Sequence, residues 1–252
     1  MSPWEALGVF AAGIGAGTIN TIVGSGTLIT FPVLLAVGLP PVTANVSNTL
    51  GLVPGSLSGA YGYRKELSGQ RDRLLRLGTA SALGGLLGAV LLLVLPADAF
   101  KAIVPVLIGI ALLLVVLQPW LARFVAARRE GETHVDGGIA LLLGVFATGV
   151  YGGYFGAAQG VLLLGLMGLL LSDDLQRINA TKNILAGLVN GVAAIVFVFA
   201  SHIDWTAALL IAAGSVIGGQ LGARVGRKLP PTVLRGLIVA VGLTAMVKLL
   251  LG

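Results

Sequence analysis

Ten apolar runs, separated by short polar or basic segments, take up most of this 252-residue chain. They lie at 4–20, 22–38, 44–62, 76–95 and 99–122, then at 138–154, 158–171, 178–200, 205–223 and 232–251. A helix needs about 20 mostly apolar residues to cross a bilayer, and most of the runs meet that length. Only 10% of the residues are charged, against about 25% in soluble domains. That is too few to coat a water-exposed globule, so the chain reads as an all-α polytopic membrane protein seated in a lipid bilayer. Met1–Glu5 carries no Lys or Arg, so the basic start of a cleaved secretory signal is missing and the first run is expected to be retained.

The runs at 22–38 and 158–171 are short for a full crossing, and each follows a glycine-rich stretch. Each pair, 4–38 and 138–171, is expected to form a helical hairpin, either fully crossing or re-entrant, with its turn at membrane depth. The net charge of +6 sits in short clusters between the runs, which argues for membrane topology rather than a nucleic-acid partner. Arg64, Lys65, Arg71, Arg73 and Arg76 form one cluster; Arg123, Arg128 and Arg129 a second; Arg177 and Lys182 a third; Arg224, Arg227, Lys228 and Arg235 a fourth. With these ends in the cytoplasm both termini fall outside, and the intervening loops alternate.

The two halves resemble each other at a spacing of about 135 residues. Gly8-Val9-Phe10-Ala11-Ala12-Gly13 returns as Gly144-Val145-Phe146-Ala147-Thr148-Gly149, and Ala44-Asn45-Val46-Ser47-Asn48 as Asn179-Ala180-Thr181-Lys182-Asn183. Gly84-Gly85-Leu86-Leu87-Gly88-Ala89 returns as Gly218-Gly219-Gln220-Leu221-Gly222-Ala223. The expected plan is a first repeat over 1–122, a cytoplasmic linker over 123–137 and a second repeat over 138–252. Each repeat is a hairpin plus three transmembrane helices. Because the halves start on opposite sides of the membrane, they are inverted-topology repeats, a plan that binds substrate at the repeat interface near the midplane.

Two glycine-broken stretches are the candidate chemistry: Gly13–Thr27 and Gly149–Gly160. Broken backbone at membrane depth must line a cavity, a ligand or other protein. The helix that starts after each break points free amides and the positive end of its dipole inward, which suits an anion. Candidate binding residues are therefore Gly24, Ser25, Gly26 and Thr27 in the first stretch and Gly156, Gln159 and Gly160 in the second. The competing reading is that these glycines only let helices pack closely. Asn45 and Asn179 read as helix N-caps. Asn48 and Asn183 lie further in, where an amide needs a partner, either a ligand or another helix. Lys182 either faces an anionic group or snorkels to the interface. Every Asp and Glu lies in a loop or near a segment end, so the carboxylate relay of a proton-driven transporter or a cation channel is missing, and a site of amides, hydroxyls and helix N-termini favours anions over cations. His134 and His202 are loop residues and too few for a metal site. No cysteine is present, and there is no nucleophile–base pair or G-x-x-x-x-G-K-[ST] motif. No enzyme activity, cofactor or metal is expected.

These residues resemble the sulfite exporter TauE/SafE family of membrane permeases, also called the TSUP family. The likeness runs through Val23-Gly24-Ser25-Gly26-Thr27, Phe31-Pro32-Val33-Leu34, Ala44–Thr49 and Arg177–Asn183, then through Ile203-Asp204-Trp205, Gly218–Arg224 and Lys228-Leu229-Pro230. Gly24-Ser25-Gly26-Thr27 departs from the longer glycine run frequent in the family, which puts the shape of the hairpin tip or the ligand preference in question. The resemblance implies secondary transport, in the export direction, of small sulfur-containing anions across a bacterial-type inner membrane. Sulfite, sulfoacetate and other organosulfonates are the implied cargo. The rivals are a passive anion channel and a non-transporting membrane scaffold.

Overall fold

The computed structural model describes residues 1–128 and 137–225, with isolated positions at 236, 239, 240 and 243. Most of the run at 232–251 and the match at Lys228-Leu229-Pro230 lie outside the described residues, as do Arg129, Arg227, Lys228 and Arg235. The described residues are helical with short connections and no strands. In order they are α1 (Pro3–Ile22), α2 (Thr27–Ala36), α3 (Pro41–Gly62), α4 (Arg71–Val94), α5 (Ala97–Arg128), α6 (Gly138–Tyr154), α7 (Gln159–Leu170), α8 (Leu175–Ala200) and α9 (Trp205–Val225). α5 runs on to Arg128, into the segment read as a linker; Ala, Leu and Arg are strong helix formers and carry it onward.

The helix starts follow local chemistry. Ser2 accepts from the Glu5 amide and Glu5 reaches back to the Ser2 amide, a capping box with Pro3 at the first position. Asp174 accepts from the Gln176 amide at the head of α8, and Asp204 from the Ala207 amide at the head of α9. Asp204 of the Ile203-Asp204-Trp205 motif is thus a cap. α2 and α7, at 10 and 12 residues, rise about 15 and 18 Å, roughly half of a bilayer's apolar thickness.

Close packing at glycine sets the arrangement. α1 lies parallel to α9: a Cβ on Gly13 would press on the backbone of Ile211, one on Gly17 on Ser215, and one on Gly218 on Ile14. α4 lies parallel to α6 in the same way, through Gly84 and Gly88 against Phe146 and Val150, and Gly149 and Gly153 against Ser81 and Gly85. α3 packs beside α9 through Gly51, Gly55 and Gly219, and α4 beside α8, where Ser81 donates to the Leu185 carbonyl at 3.2 Å. Small residues at such crossings bring backbones within van der Waals reach.

α3 and α8 cross at the centre and bury most of their polar side chains. On the outside, Leu83, Leu87, Val106, Leu113, Ile195, Phe199 and Leu209 stand exposed. Among the described residues, four helices (α4, the Ala97–Leu117 part of α5, α8 and α9) are long and apolar enough to cross a membrane. At the charged end, Asp173 ties together the starts of α4 and α8. It pairs with Arg73 and, at 2.9 Å, with Arg177. The buried Gln70 accepts from Arg73 and from the Thr181 hydroxyl, at 2.7 and 2.9 Å.

Candidate functional site at the hairpin tips

Each hairpin breaks by the same device. At the end of α1 the Ile19 carbonyl accepts from both Val23 and Gly24, at 2.7 and 3.0 Å; at the end of α6 the Tyr151 carbonyl accepts from both Phe155 and Gly156, at 2.9 and 3.1 Å. Gly24 and Gly156 then take φ of +86° and +77°, a region that glycine enters freely and that commonly ends a helix. The glycines ahead of each break remain helical: Gly13, Gly15 and Gly17 lie inside α1, and Gly149, Gly152 and Gly153 inside α6. The break is therefore confined to residues 23–26 and 155–158, and the earlier glycines serve packing. Ala158, with φ of 59°, is the one non-glycine residue at positive φ among the described residues. It holds a conformation that costs an L side chain roughly 1–2 kcal/mol.

The two tips meet inside the protein. The Gly160 amide donates to the Gly24 carbonyl at 3.0 Å, and a Cβ on either glycine would overlap the backbone of the other. Phe155 locks the contact edge-to-face between Phe31 and Phe100, with ring centroids 5.2 and 6.1 Å away. The Tyr151 hydroxyl donates to the Ala157 carbonyl at 2.6 Å and braces the second tip from its own helix.

Polar side chains of α3 and α8 then engage the broken ends. Asn179 and Asn183 donate to the Thr21 carbonyl, each at 3.3 Å. Lys182, one turn from Asn179 and beside Asn183, is wholly buried and donates to the carbonyls of Asn20 and Thr21 at 2.9 and 3.1 Å. It does not snorkel. The ammonium sits at the negative end of the α1 dipole, an arrangement that favours a cation there. Its aliphatic stem passes 3.0 Å from where a Cβ of Gly160 would lie, which brings it alongside the tips. Across the molecule, Asn45 donates to the Tyr154 carbonyl at the end of α6, at 3.0 Å.

Asn45 and Asn179 are thus not N-caps. α3 starts earlier, at Pro41, and α8 at Leu175, which places both amides a turn inside their helices. Each serves the broken end of the other half's hairpin. Asn48 bonds Thr30 and Thr27 of α2, the interhelical role rather than a free one. Asn45, Asn179, Thr30 and Tyr151 belong to this constellation without having stood among the expected binding residues.

The donors left over are informative. Among the expected tip amides, those of Gly24, Gly156, Gln159 and Gly160 are consumed by Ile19, Tyr151, Gly156 and Gly24. The amides of Ser25, Gly26 and Thr27 find no acceptor in the described residues. Neither does the Ser25 hydroxyl or the Gln159 side-chain nitrogen, although Ser25 is 0% and Gln159 3% exposed. Buried donors without partners are uncommon in folded proteins. Lys182 is the only charged side chain in the fully buried set of described residues. A site that offers unpaired N–H and O–H groups, a buried ammonium and no buried carboxylate has the chemistry to receive an anion.

Helices with lipid-length apolar faces around a polar, helix-broken centre define a multi-pass membrane protein of the transporter class. The chain belongs to the sulfite exporter TauE/SafE family, whose profile matches residues 9–249. It is 30% identical over 243 residues to the "Probable membrane transporter protein ORF9" of Sinorhizobium sp, covering 96% of this chain and 91% of that protein. It is 28% identical over 246 residues to the "Probable membrane transporter protein YfcA" of Escherichia coli K12, covering 97% and 89%. A "Probable membrane transporter protein" of Haemophilus influenzae is 30% identical over 232 residues, covering 92% and 89%. No solved structure matches the chain. The family is one of membrane transporters.

Proposed function

We propose that the protein is a secondary transporter that exports a small sulfur-containing anion by alternating access around the hairpin tips. Sulfite, sulfoacetate and other organosulfonates are the cargo class. The observation that carries this reading is the pair of buried, unpartnered donors on Ser25 and Gln159, the residues next to the touching Gly24 and Gly160, together with the buried Lys182, whose stem reaches Gly160. Gly24 and Gly160 touch, so the oxyanion belongs beside that contact, on the Ser25–Thr27 and Gln159 flank, and the tips part during transport. Asn48 and Asn183 act there by holding α2 and the α1 end in place.

Two features support inverted repeats. The breaks share one hydrogen-bond pattern offset by 132 residues, from Ile19 to Tyr151. The α1–α9 pairing is also mirrored by α6–α4, and α3–α9 by α8–α4. The same reading sets the basic ends in the cytoplasm of an inner membrane with both termini outside. The test is thermal unfolding of the purified protein in choline salts with added sulfite, thiosulfate or isethionate. The expected result is a saturable rise in melting temperature. Unchanged melting with all three would sink the reading. Counterflow in liposomes separates a carrier, which shows it, from a channel.

A further inference from the structure

The two broken helix ends are built alike but satisfied differently. At the end of α1, the carbonyls of Asn20 and Thr21 follow the doubly accepting Ile19 and receive the Lys182 ammonium. At the end of α6, Tyr151 takes the place of Ile19, so Gly152 and Gly153 stand where Asn20 and Thr21 do. The Gly156 amide, which a continuing helix would offer to Gly152, goes to Tyr151 instead, and the Ala157 amide reaches no acceptor. The carbonyls of Gly152 and Gly153 therefore accept no hydrogen bond among the described residues, and both glycines are buried.

α3 brings no lysine to this end. It brings Asn45, 0% exposed, whose Nδ2 is fixed on the Tyr154 carbonyl at 3.0 Å and whose Oδ1 has no partner. Three neutral oxygens at the negative end of a helix dipole are thus left unpaired, while across the molecule the two counterpart carbonyls hold a tethered cation and Asn179 Oδ1 alone is likewise unpaired.

We propose that the end of α6 is a binding site for a monovalent alkali cation, sodium being the case tested, liganded by the carbonyls of Gly152 and Gly153 and by Asn45 Oδ1. Hard cations take oxygen ligands, and helix ends interrupted at membrane depth supply them. With no carboxylate in the set, a divalent ion would keep too much uncompensated charge. Peptide and amide oxygens are too weakly basic to hold a proton at neutral pH. Lys182 in one half and the bound ion in the other would then flank the tips with positive charge. The existence of the site is independent of the anion proposal; only its use as a coupling ion rests on that reading.

The test uses the purified full chain without sulfur anions, melted in sodium chloride and in choline chloride at equal ionic strength. The expected result is a saturable rise of several degrees with sodium alone. Asn45→Ala should abolish the rise. Asn45→Asp should lower the half-saturating sodium concentration about tenfold, as one added carboxylate at contact distance implies. Equal melting of the wild-type protein in the two salts overturns the proposal, as does a sodium effect that survives in full in Asn45→Ala. If that variant does not fold, the wild-type comparison and the Asn45→Asp titration still decide. Sulfonate stabilisation measured in choline salts fails or succeeds separately.

Discussion

Gly24→Ala, read against two companion substitutions, tests whether the tips are held by direct backbone contact. Gly24 has φ of +86° and a Cβ there would run into Gly160. Gly38 has φ of +91° and nothing near its Cβ position, so Gly38→Ala carries the left-handed strain alone, about 1–2 kcal/mol. Gly24→Ala carries that strain and also forces apart the Gly160–Gly24 hydrogen bond; a buried bond left open adds about 1–3 kcal/mol. Gly160 is the second residue of α7, where alanine is intrinsically no worse than glycine, its advantage reaching about 1 kcal/mol in a helix interior. Gly160→Ala should nevertheless destabilise, because its Cβ would meet Gly24. Thermal unfolding in detergent should therefore rank Gly24→Ala well below Gly38→Ala, with Gly160→Ala below wild type. If Gly24→Ala melts with Gly38→Ala, or Gly160→Ala melts above wild type, the tips are not in contact and the site has been placed wrongly.

Other outcomes follow from the same geometry. Lys182→Met removes two hydrogen bonds to carbonyls, which destabilises, and also the burial of a charge, which stabilises by a comparable few kcal/mol. Its melting temperature without anion should change little, while the anion-dependent rise disappears. Ser25→Ala and Gln159→Leu take away donors that have no partner among the described residues, so stability should hold. Anion affinity, read from the same melts, should fall at least tenfold, because a hydrogen bond to a charged ligand is worth about 1.5–3 kcal/mol. Partial burial opposes ionisation of Asp173, but its bonds from Arg73 and the Asp174 amide, and the charges of Arg73 and Arg177, outweigh that and hold the carboxyl below its ordinary range. The latch it forms should be intact above that range and lost as pH falls through the lowered value. Melting curves against pH should show an acid limb that is shallower in Asp173→Asn, which should also melt lower than wild type at neutral pH.

Much of the helix plan is legible in the chain because lipid imposes a simple rule on length and polarity. The runs at 138–154, 158–171 and 178–200 correspond to α6, α7 and α8 within a few residues. Where the breaks fall is less legible. Gly13, Gly15, Gly17 and Gly24 look alike in sequence, yet the first three are helical, and Gly13 and Gly17 meet α9 some two hundred residues away. Nothing local separates a glycine that packs from one that turns. The chain does carry the true start signals: Pro41 at a first helical position and Asp174 just ahead of Leu175 both mark starts earlier than Asn45 and Asn179.

Lys182 marks the limit of sequence reading for a different reason. A lysine in a membrane segment has two ordinary fates, a counter-charge or a route to the interface, and both can be sought by inspecting the chain. Here its partners are Asn20 and Thr21, engaged through main-chain oxygens, so their side-chain identities carry no trace of the interaction. What exposes those oxygens is the left-handed glycine that follows, because the amide it offers goes one residue further back than a continuing helix would send it. The break and the buried cation are therefore linked: without Gly24 in that conformation the carbonyls would be spent inside α1, and Lys182 would have nothing to hold. A buried lysine facing a glycine-terminated half-helix is accordingly the pattern to look for when a chain of this kind offers no acidic residue to explain it.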